Sequence, residues 1–365
     1  MSQRIAIMAP GLNLLGDAVS NDVLGMYSAL SETSVEASIN VPAPMRSYDL
    51  NVQSYDDVLS LSPKDIAIYH YCTGDRDALE VLTKTKATVV LKYHNVTPSH
   101  FFNGYCDEYK SATAEALEML GKFANIPGAL AMADSDFNKQ ALLRRGMPED
   151  RVSVVPPFHQ TDSLLAHKKP PQDDGIFHVL SVGRIAPNKN LETLLESFAD
   201  GEKKSDRSMT LHIVGTTDPR LLGYRNKLVR IHKRRGPIST VYHNGASTEM
   251  LAGLYSQCSA YMTCSEHEGF CVPAIEAMAF GLPIIATKGS ALTETCGDAA
   301  LLESRRKDFT NALLMLTKDD ALRADLGARG GARYEQHFAN EVIRKKFLSF
   351  VRGFPQVVAS NIAIG

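Results

Sequence analysis

The chain has 365 residues, 44% hydrophobic and 22% charged, the make-up of a globular protein long enough for two ordinary domains. Its 39 Lys and Arg nearly balance 41 Asp and Glu, so no basic surplus points to a nucleic-acid partner. No stretch approaches the roughly 18 consecutive apolar residues of a spanning helix, and the expected compartment is the cytoplasm.

Taken in chain order, "RIAIMA" (4–9) is a short apolar run that flows into a glycine-containing loop. That predicts a strand, a loop and a helix, not a signal peptide. Further runs follow at "DIAIYHY" (65–71), "ATVVLKYH" (87–94), "GALAMAD" (128–134) and "RVSVVP" (151–156). Helical patterns lie between several of them, as at 111–124 and 136–145. Strands that alternate with amphipathic helices predict a parallel sheet covered on both faces.

The alternation lapses over 159–175, where "HQTDSLLAHKKPPQDDG" holds a Pro-Pro pair and mixed charges, the signature of an exposed connection. It restarts with strands at "FHVLSVGR", "MTLHIVG", "STVYHNG", "SAYMTCS" and "LPIIATKG". The expected architecture is α/β: two doubly wound, Rossmann-like domains, 1–160 and 175–337, facing across a cleft. Ligands of such sheets bind beyond the carboxyl ends of the strands.

Helices are expected over 305–317, 319–335 and about 338–353, the last carrying apolar residues at 347, 348, 350, 351 and 354. This C-terminal segment, 338–365, is expected to pack on a domain surface, the N-terminal domain included, with a membrane-touching amphipathic helix as the alternative. The basic run "KLVRIHKRRG" (227–236) reads as a solvated helix end, with contact to anionic lipid as its alternative. The six cysteines form no C-x-x-C pair, and the eleven histidines form no H-E-x-x-H and no group at ligand spacing. Neither a disulfide frame nor a metal site is expected.

The chemistry concentrates in "SEHEGFCVPAIEA" (265–277). A buried strand runs into the turn Glu268-Gly269-Phe270-Cys271-Val272 and then into a helix with proline at its first position and glycine beyond its end. The N-terminus of such a helix offers unpaired N–H groups and the positive end of a dipole, a seat for a diphosphate. Glu276, just inside that helix, suits neutral ribose hydroxyls, while Glu268 suits sugar hydroxyls or positive charge developing at an anomeric carbon. Upstream, "FHVLSVGRIAPNKNLETLLESF" (177–198) sets Arg184 and Lys189 at a strand's carboxyl end, before a helix that Asn190 could cap. Two cations there offset the charge of a diphosphate leaving group.

Together these segments resemble the retaining glycosyltransferases of family 4, which have the GT-B fold. The resemblance runs through "SVGRIAPNKN", "HIVG", "YHNGAS", the E-x7-E element and "GLPIIATKGSALTETCGDAALL"; in the first domain "YHNVTPSHFF" and "ADSDFNKQALL" look like a bacterial polysaccharide-assembly branch. It implies that Arg184 and Lys189 bind the donor diphosphate and Glu276 the ribose. Glu268, with the backbone of Gly269, Phe270, Cys271 and Val272, would hold the donor sugar and phosphate. His94 would reach the donor sugar from across the cleft, and Gly16 and Asp17 would lie on the acceptor side. Gly215 and Asn244 sit in the loops expected to line the base pocket. The family often has glycine where this chain has Cys271.

The implied reaction is transfer of a hexose, with retention, from a nucleotide sugar to a saccharide or lipid-linked saccharide acceptor, with no cofactor and no metal. The branch resemblance favours GDP-mannose, with UDP-sugars next. The rival readings are a metal-dependent transferase using a D-x-D pair, Asp134 with Asp136 or Asp75 with Asp77; an NAD-dependent oxidoreductase, which lacks its G-x-G-x-x-G loop here; and a non-catalytic nucleotide-sugar sensor.

Overall fold

The computed structural model describes residues 3–13, 17–43, 50–171 and 173–354. These fall into two compact units: the described residues of 3–96, 112–159 and 339–354 in one, those of 97–111 and 160–338 in the other.

The first unit holds a seven-stranded parallel sheet: β1 (Arg4–Met8), β2 (Glu36–Val41), β3 (Val52–Ser54), β4 (Ile66–Tyr71), β5 (Thr88–Tyr93), β6 (Leu130–Ala133) and β7 (Val152–Val154), in the order β3-β2-β1-β4-β5-β6-β7. Its helices are α1 (Ala18–Ser31), α2 (Arg76–Lys84), the part of α3 (Asp107–Ala124) from Ala112 onward, and α4 (Asp136–Leu143). Strand alternation sends Tyr69, Tyr71, Leu91 and Tyr93 to one face, where they pack with Val81 and Leu82 of α2 and Leu120 and Phe123 of α3. Ile66, Ile68, Val90, Leu130 and Met132 face the other way and meet Val23, Met26 and Leu30 of α1.

The second unit holds six parallel strands: β8 (Phe177–Val182), β9 (Met209–Val214), β10 (Thr240–His243), β11 (Ala260–Thr263), β12 (Ile284–Thr287) and β13 (Ala300–Glu303), in the order β10-β9-β8-β11-β12-β13. Around them lie α5 (Thr161–Leu165), α6 (Leu191–Glu202), α7 (Leu222–Arg235), α8 (Thr248–Gln257), α9 (Val272–Phe280), α10 (Leu292–Cys296), α11 (Arg306–Lys318) and α12 (Asp320–Arg333). A thirteenth helix, α13 (Asn340–Arg352), belongs to the first unit, where Ile343, Phe347, Leu348 and Val351 join the core beside α1. Its apolar face is therefore spent on protein.

Residues Thr97–Ser111 cluster with the second unit, although the sequence reading leaves them in the first domain. Arg220 explains the attachment: its guanidinium stands 4.4 Å above the Tyr109 ring and bonds Glu108 at 2.6 Å. Tyr105 adds a bond from Lys227 Nζ at 3.1 Å and an edge-on contact with Tyr224. The basic run on α7 is partly neutralised by α6, through Lys227–Glu192, Arg234–Glu196 and Arg235–Asp200 at 2.5–2.8 Å. Among the described residues no helix is long and apolar enough to cross a membrane.

One glycine is dictated by close approach. A Cβ on Gly215 would stand 1.9 Å from the Gly183 carbonyl oxygen, because the loops leaving β8 and β9 run side by side. Gly215→Ala must displace that backbone, and a loss of about 1–3 kcal/mol is expected in urea unfolding; an unchanged midpoint would contradict it.

Candidate functional site

In the second sheet β8 pairs with β9 on one side and β11 on the other, so the chain winds away from this pair in opposite directions. That reversal opens a crevice at the carboxyl ends of β8 and β11, where doubly wound sheets take their ligands. The two loops that leave there are 183–190 and 264–271.

Asn188 binds the two loops together. Its buried backbone carbonyl accepts from Glu266 N–H at 2.9 Å and from the Ser265 hydroxyl at 3.2 Å, and its side-chain amide donates to the His267 carbonyl at 3.2 Å. Next to it, Asn190 takes the left-handed conformation at φ 45°, caps α6 by accepting from Thr193 N–H, and donates to Glu266 Oε1 at 2.8 Å. The result brings Lys189 Nζ to 2.5 Å from Glu268 Oε1. Arg184 lies exposed at the end of β8 with no ion pair among the described residues, its charge felt by the Tyr109 hydroxyl. The crevice thus holds one partnered and one open cation.

On the β11 side, Cys271 opens α9 in the left-handed conformation, φ 80° and ψ 71°. Its side chain is buried and its thiol pushed well above the ordinary range by that burial, so it does not project into the mouth of the turn. Phe270 packs edge-on against Phe338, its carbonyl accepts from the Thr295 hydroxyl at 2.9 Å, and the Glu268 carbonyl accepts from Ala291 N–H at 3.2 Å. The turn is thereby fixed before any ligand arrives. Glu276 is buried inside α9, where burial raises its pKa to about 7 against a hydrogen bond from Tyr255 O–H at 2.8 Å that lowers it. Asn244 is exposed just beyond β10, and Gly215 meets Gly183 as described.

In the first unit, His94 follows β5 with both ring nitrogens engaged: Nδ1 lies 2.9 Å from Asp134 Oδ2 and Nε2 lies 2.8 Å from His70 Nδ1. Lys92 reaches Asp134 Oδ1 at 2.6 Å and donates to the Val155 carbonyl. Asp22 of α1 completes the group, its Oδ1 accepting from Phe158 N–H at 2.7 Å. Burial raises the Asp22 pKa and holds His70 neutral; burial would also raise Asp134, but His94 and Lys92 bring it below the usual carboxylate range. Asp22, His70 and Lys92 escaped sequence reading. The available signal was that β4, β5 and β6 each close an apolar column with a polar residue, Ile66-Ile68-His70, Val90-Lys92-His94 and Leu130-Met132-Asp134.

Asp17 is the N-cap of α1, accepting from Ser20 N–H at 2.8 Å, and Gly16 lies outside the described residues. Of the two D-x-D pairs, Asp75 caps α2 through Ala78 N–H and accepts from Tyr55 O–H, and Asp134 is committed to Lys92 and His94.

The sequence profile described as "Glycosyl transferases group 1" matches residues 163–333, the span that carries the clamped loops and the E-x7-E turn. This stretch is similar to the group 1 glycosyltransferases. Relatives of this chain include the O-antigen chain mannosyltransferase B of Escherichia coli, 29% identical over 168 residues, which are 44% of this chain and 42% of that protein. The D-inositol 3-phosphate glycosyltransferase of Pseudarthrobacter chlorophenolicus is 25% identical over 59% of this chain and 54% of its own length. The chain thus spans about half the length of the curated relatives it matches. Among solved structures, Anabaena HepE in complex with UDP and glucose superposes with a TM-score of 0.76 at 16% identity, covering 96% of this chain and 100% of that one. Sucrose-phosphate synthase from Thermosynechococcus elongatus gives 0.70 at 19%, covering 98% and 100%. The fold is that of the GT-B glycosyltransferases.

Glu276 yields a pH test. Its folded-state pKa of about 7 exceeds the ordinary carboxyl value of 4.5, so between these the native chain keeps a proton that the unfolded chain has lost. Stability from this group is highest at low pH, falls as pH rises from about 4.5 to 7, and levels off beyond, with a total on the order of 3 kcal/mol. In thermal melts of the unliganded protein, Glu276→Gln is expected to match the wild type near pH 5 and to exceed it at pH 8. Parallel curves for the two proteins would refute the assignment.

Proposed function

We propose that the chain is a retaining, metal-independent hexosyltransferase that moves mannose from GDP-mannose onto a saccharide or lipid-linked saccharide in cell-surface polysaccharide assembly. The observation that carries this reading is the meeting of Lys189 and Glu268 at the switch point of a group 1 domain, beside the open cation Arg184. Similarity to the E. coli O-antigen chain mannosyltransferase B supports the choice of sugar and product class.

In this account the donor diphosphate lies against Arg184, Lys189 and the N-terminal turn of α9. Lys189 then exchanges or shares its Glu268 contact, and Glu268 turns to the hydroxyls of the sugar. Glu276 receives the ribose hydroxyls, whose hydrogen bonds favour its carboxylate form. As the bond from C1 to the phosphate oxygen breaks, its electron pair departs with the diphosphate, where the two cations stabilise the growing negative charge. The acceptor oxygen bonds to C1 on the same face, and the acceptor's proton passes to the departing phosphate oxygen. No protein carboxylate needs to act as nucleophile.

The donor is tested by measuring free nucleotide released from GDP-mannose and from UDP-glucose in the presence of saccharide acceptors, with thermal shifts by GDP, UDP and ADP alongside. GDP should raise the melting temperature most, and Lys189→Met should lower kcat by roughly 10²–10³-fold. A larger response to UDP would transfer the donor to the UDP-sugars, a reading favoured by the UDP and glucose held by HepE. No release from either donor would defeat the proposal.

The product of an α-linked donor should be α-linked, and added Mg²⁺ or Mn²⁺ should leave the rate unchanged. A β-linked product, seen in the anomeric coupling constant, would exclude retention, and a several-fold rise with either cation would exclude metal independence.

A further inference from the structure

We propose that Asp22, His70 and His94 form a site for one divalent transition-metal ion, with zinc the natural occupant of this donor set. The three ligand atoms, Asp22 Oδ2, His70 Nδ1 and His94 Nε2, face one another at separations of 3.6, 3.5 and 2.8 Å. The point equidistant from all three lies about 2 Å from each, which is the length of Zn–N and Zn–O bonds. Tetrahedral ligands at that bond length stand about 3.3 Å apart, close to the mean of the observed separations.

A second observation points to an occupant. Asp22 is fully buried, yet its Oδ2 has no hydrogen-bond partner, although its Oδ1 is satisfied by Phe158 N–H. A buried carboxylate oxygen without a hydrogen bond is costly even with the Lys92 ammonium 3.7 Å away, and a cation at the centre of the triangle removes that cost.

The surroundings have the form of a supporting shell. Asp134 Oδ2 lies 2.9 Å from His94 Nδ1, which sets the proton on Nδ1 and leaves the Nε2 lone pair aimed at the centre, the usual carboxylate–histidine–metal arrangement. Lys92 does not occupy the site. Its ammonium is held by Asp134 at 2.6 Å and by the Val155 carbonyl, and it stands 3.7 Å from Asp22 Oδ2. On binding, His70 moves its single proton from Nδ1 to Nε2, so no net proton is released by the histidines. Around the centre the Asp22 and Asp134 carboxylates outnumber the single Lys92 ammonium, which favours a cation there. All of these groups belong to the first unit, and the inference does not rest on the glycosyl-transfer reading.

The test uses the full chain, purified without a polyhistidine tag, equilibrated with Zn²⁺ or Co²⁺ and then dialysed. Elemental analysis should find about one ion per chain, and the Co²⁺ form should show the intense visible bands of a tetrahedral N/O site. His70→Ala and Asp22→Asn should each weaken binding on the order of 100-fold or more. The second histidine group, His178, His212 and His243, joined at 2.9 and 3.1 Å across β8, β9 and β10, supplies the control: His212→Ala should keep the ion. Should either first-unit variant fail to fold, the wild-type stoichiometry, its Co²⁺ spectrum and a melting temperature that rises with zinc decide the matter. Wild-type protein that retains less than about one ion in ten chains and shows no Co²⁺ bands, or an ion kept by His70→Ala and lost by His212→Ala, overturns the site. Nucleotide release is measured apart from these readouts, so either conclusion can fail alone.

Discussion

The proposed donor-side chemistry depends on a backbone clamp. Lys189 and Glu268 are 79 positions apart in sequence and meet because the Asn188 carbonyl accepts from both Ser265 and Glu266 while its amide holds the His267 carbonyl. A flexible lysine on an unconstrained loop would lose several rotors on binding a phosphate. Here much of that ordering is completed during folding, which is how preorganised electrostatics becomes effective at a reacting centre. The strand order decides where the clamp can form, since only at β8 and β11 do neighbouring loops turn away from each other.

Around the clamp, features unfavourable to stability gather at the ligand seat. Cys271 holds a left-handed backbone that most side chains avoid, and Glu276 is buried where its charge is poorly solvated. Such costs persist where the surroundings over-determine the local geometry. Phe270 against Phe338 and the Thr295 hydroxyl on the Phe270 carbonyl provide that determination. In the proposed reaction a ribose diol would donate hydrogen bonds to the charged form of Glu276, which would link donor binding to the ionisation of this carboxyl.

The first unit solves a different problem. Its central strands are covered by helices on both faces, so each inward column must be apolar until the strand ends. At that end the columns of β4, β5 and β6 turn polar together, and α1 brings Asp22 over them. The buried charges are tolerable because nearly every one has an opposite or hydrogen-bonding neighbour within 3 Å. His94, read from sequence as a group that reaches out to a sugar, has both nitrogens directed into this network.

Sequence alone determined the two-sheet α/β class, because β–α periodicity is written locally: the runs at 65–71, 87–94 and 177–182 are strands, and Asn190 caps α6 where its position before an amphipathic stretch predicted. Elements without a strong local pattern were lost to it. β2 and β3 are half-exposed and polar, and β13 is four partly buried residues. The E-x7-E turn and the two upstream cations were legible as motifs, whereas their contact was not. Only the tertiary structure decided that Thr97–Ser111 clusters with the second unit, that Lys189 pairs with Glu268, and that Asp22, His70, Lys92, His94 and Asp134 converge. The reason is physical: ligand spacing in a sequence records neighbours along one helix or loop, and these groups come from one helix and three parallel strands, brought together by sheet register and strand order, which are long-range properties of the packed chain.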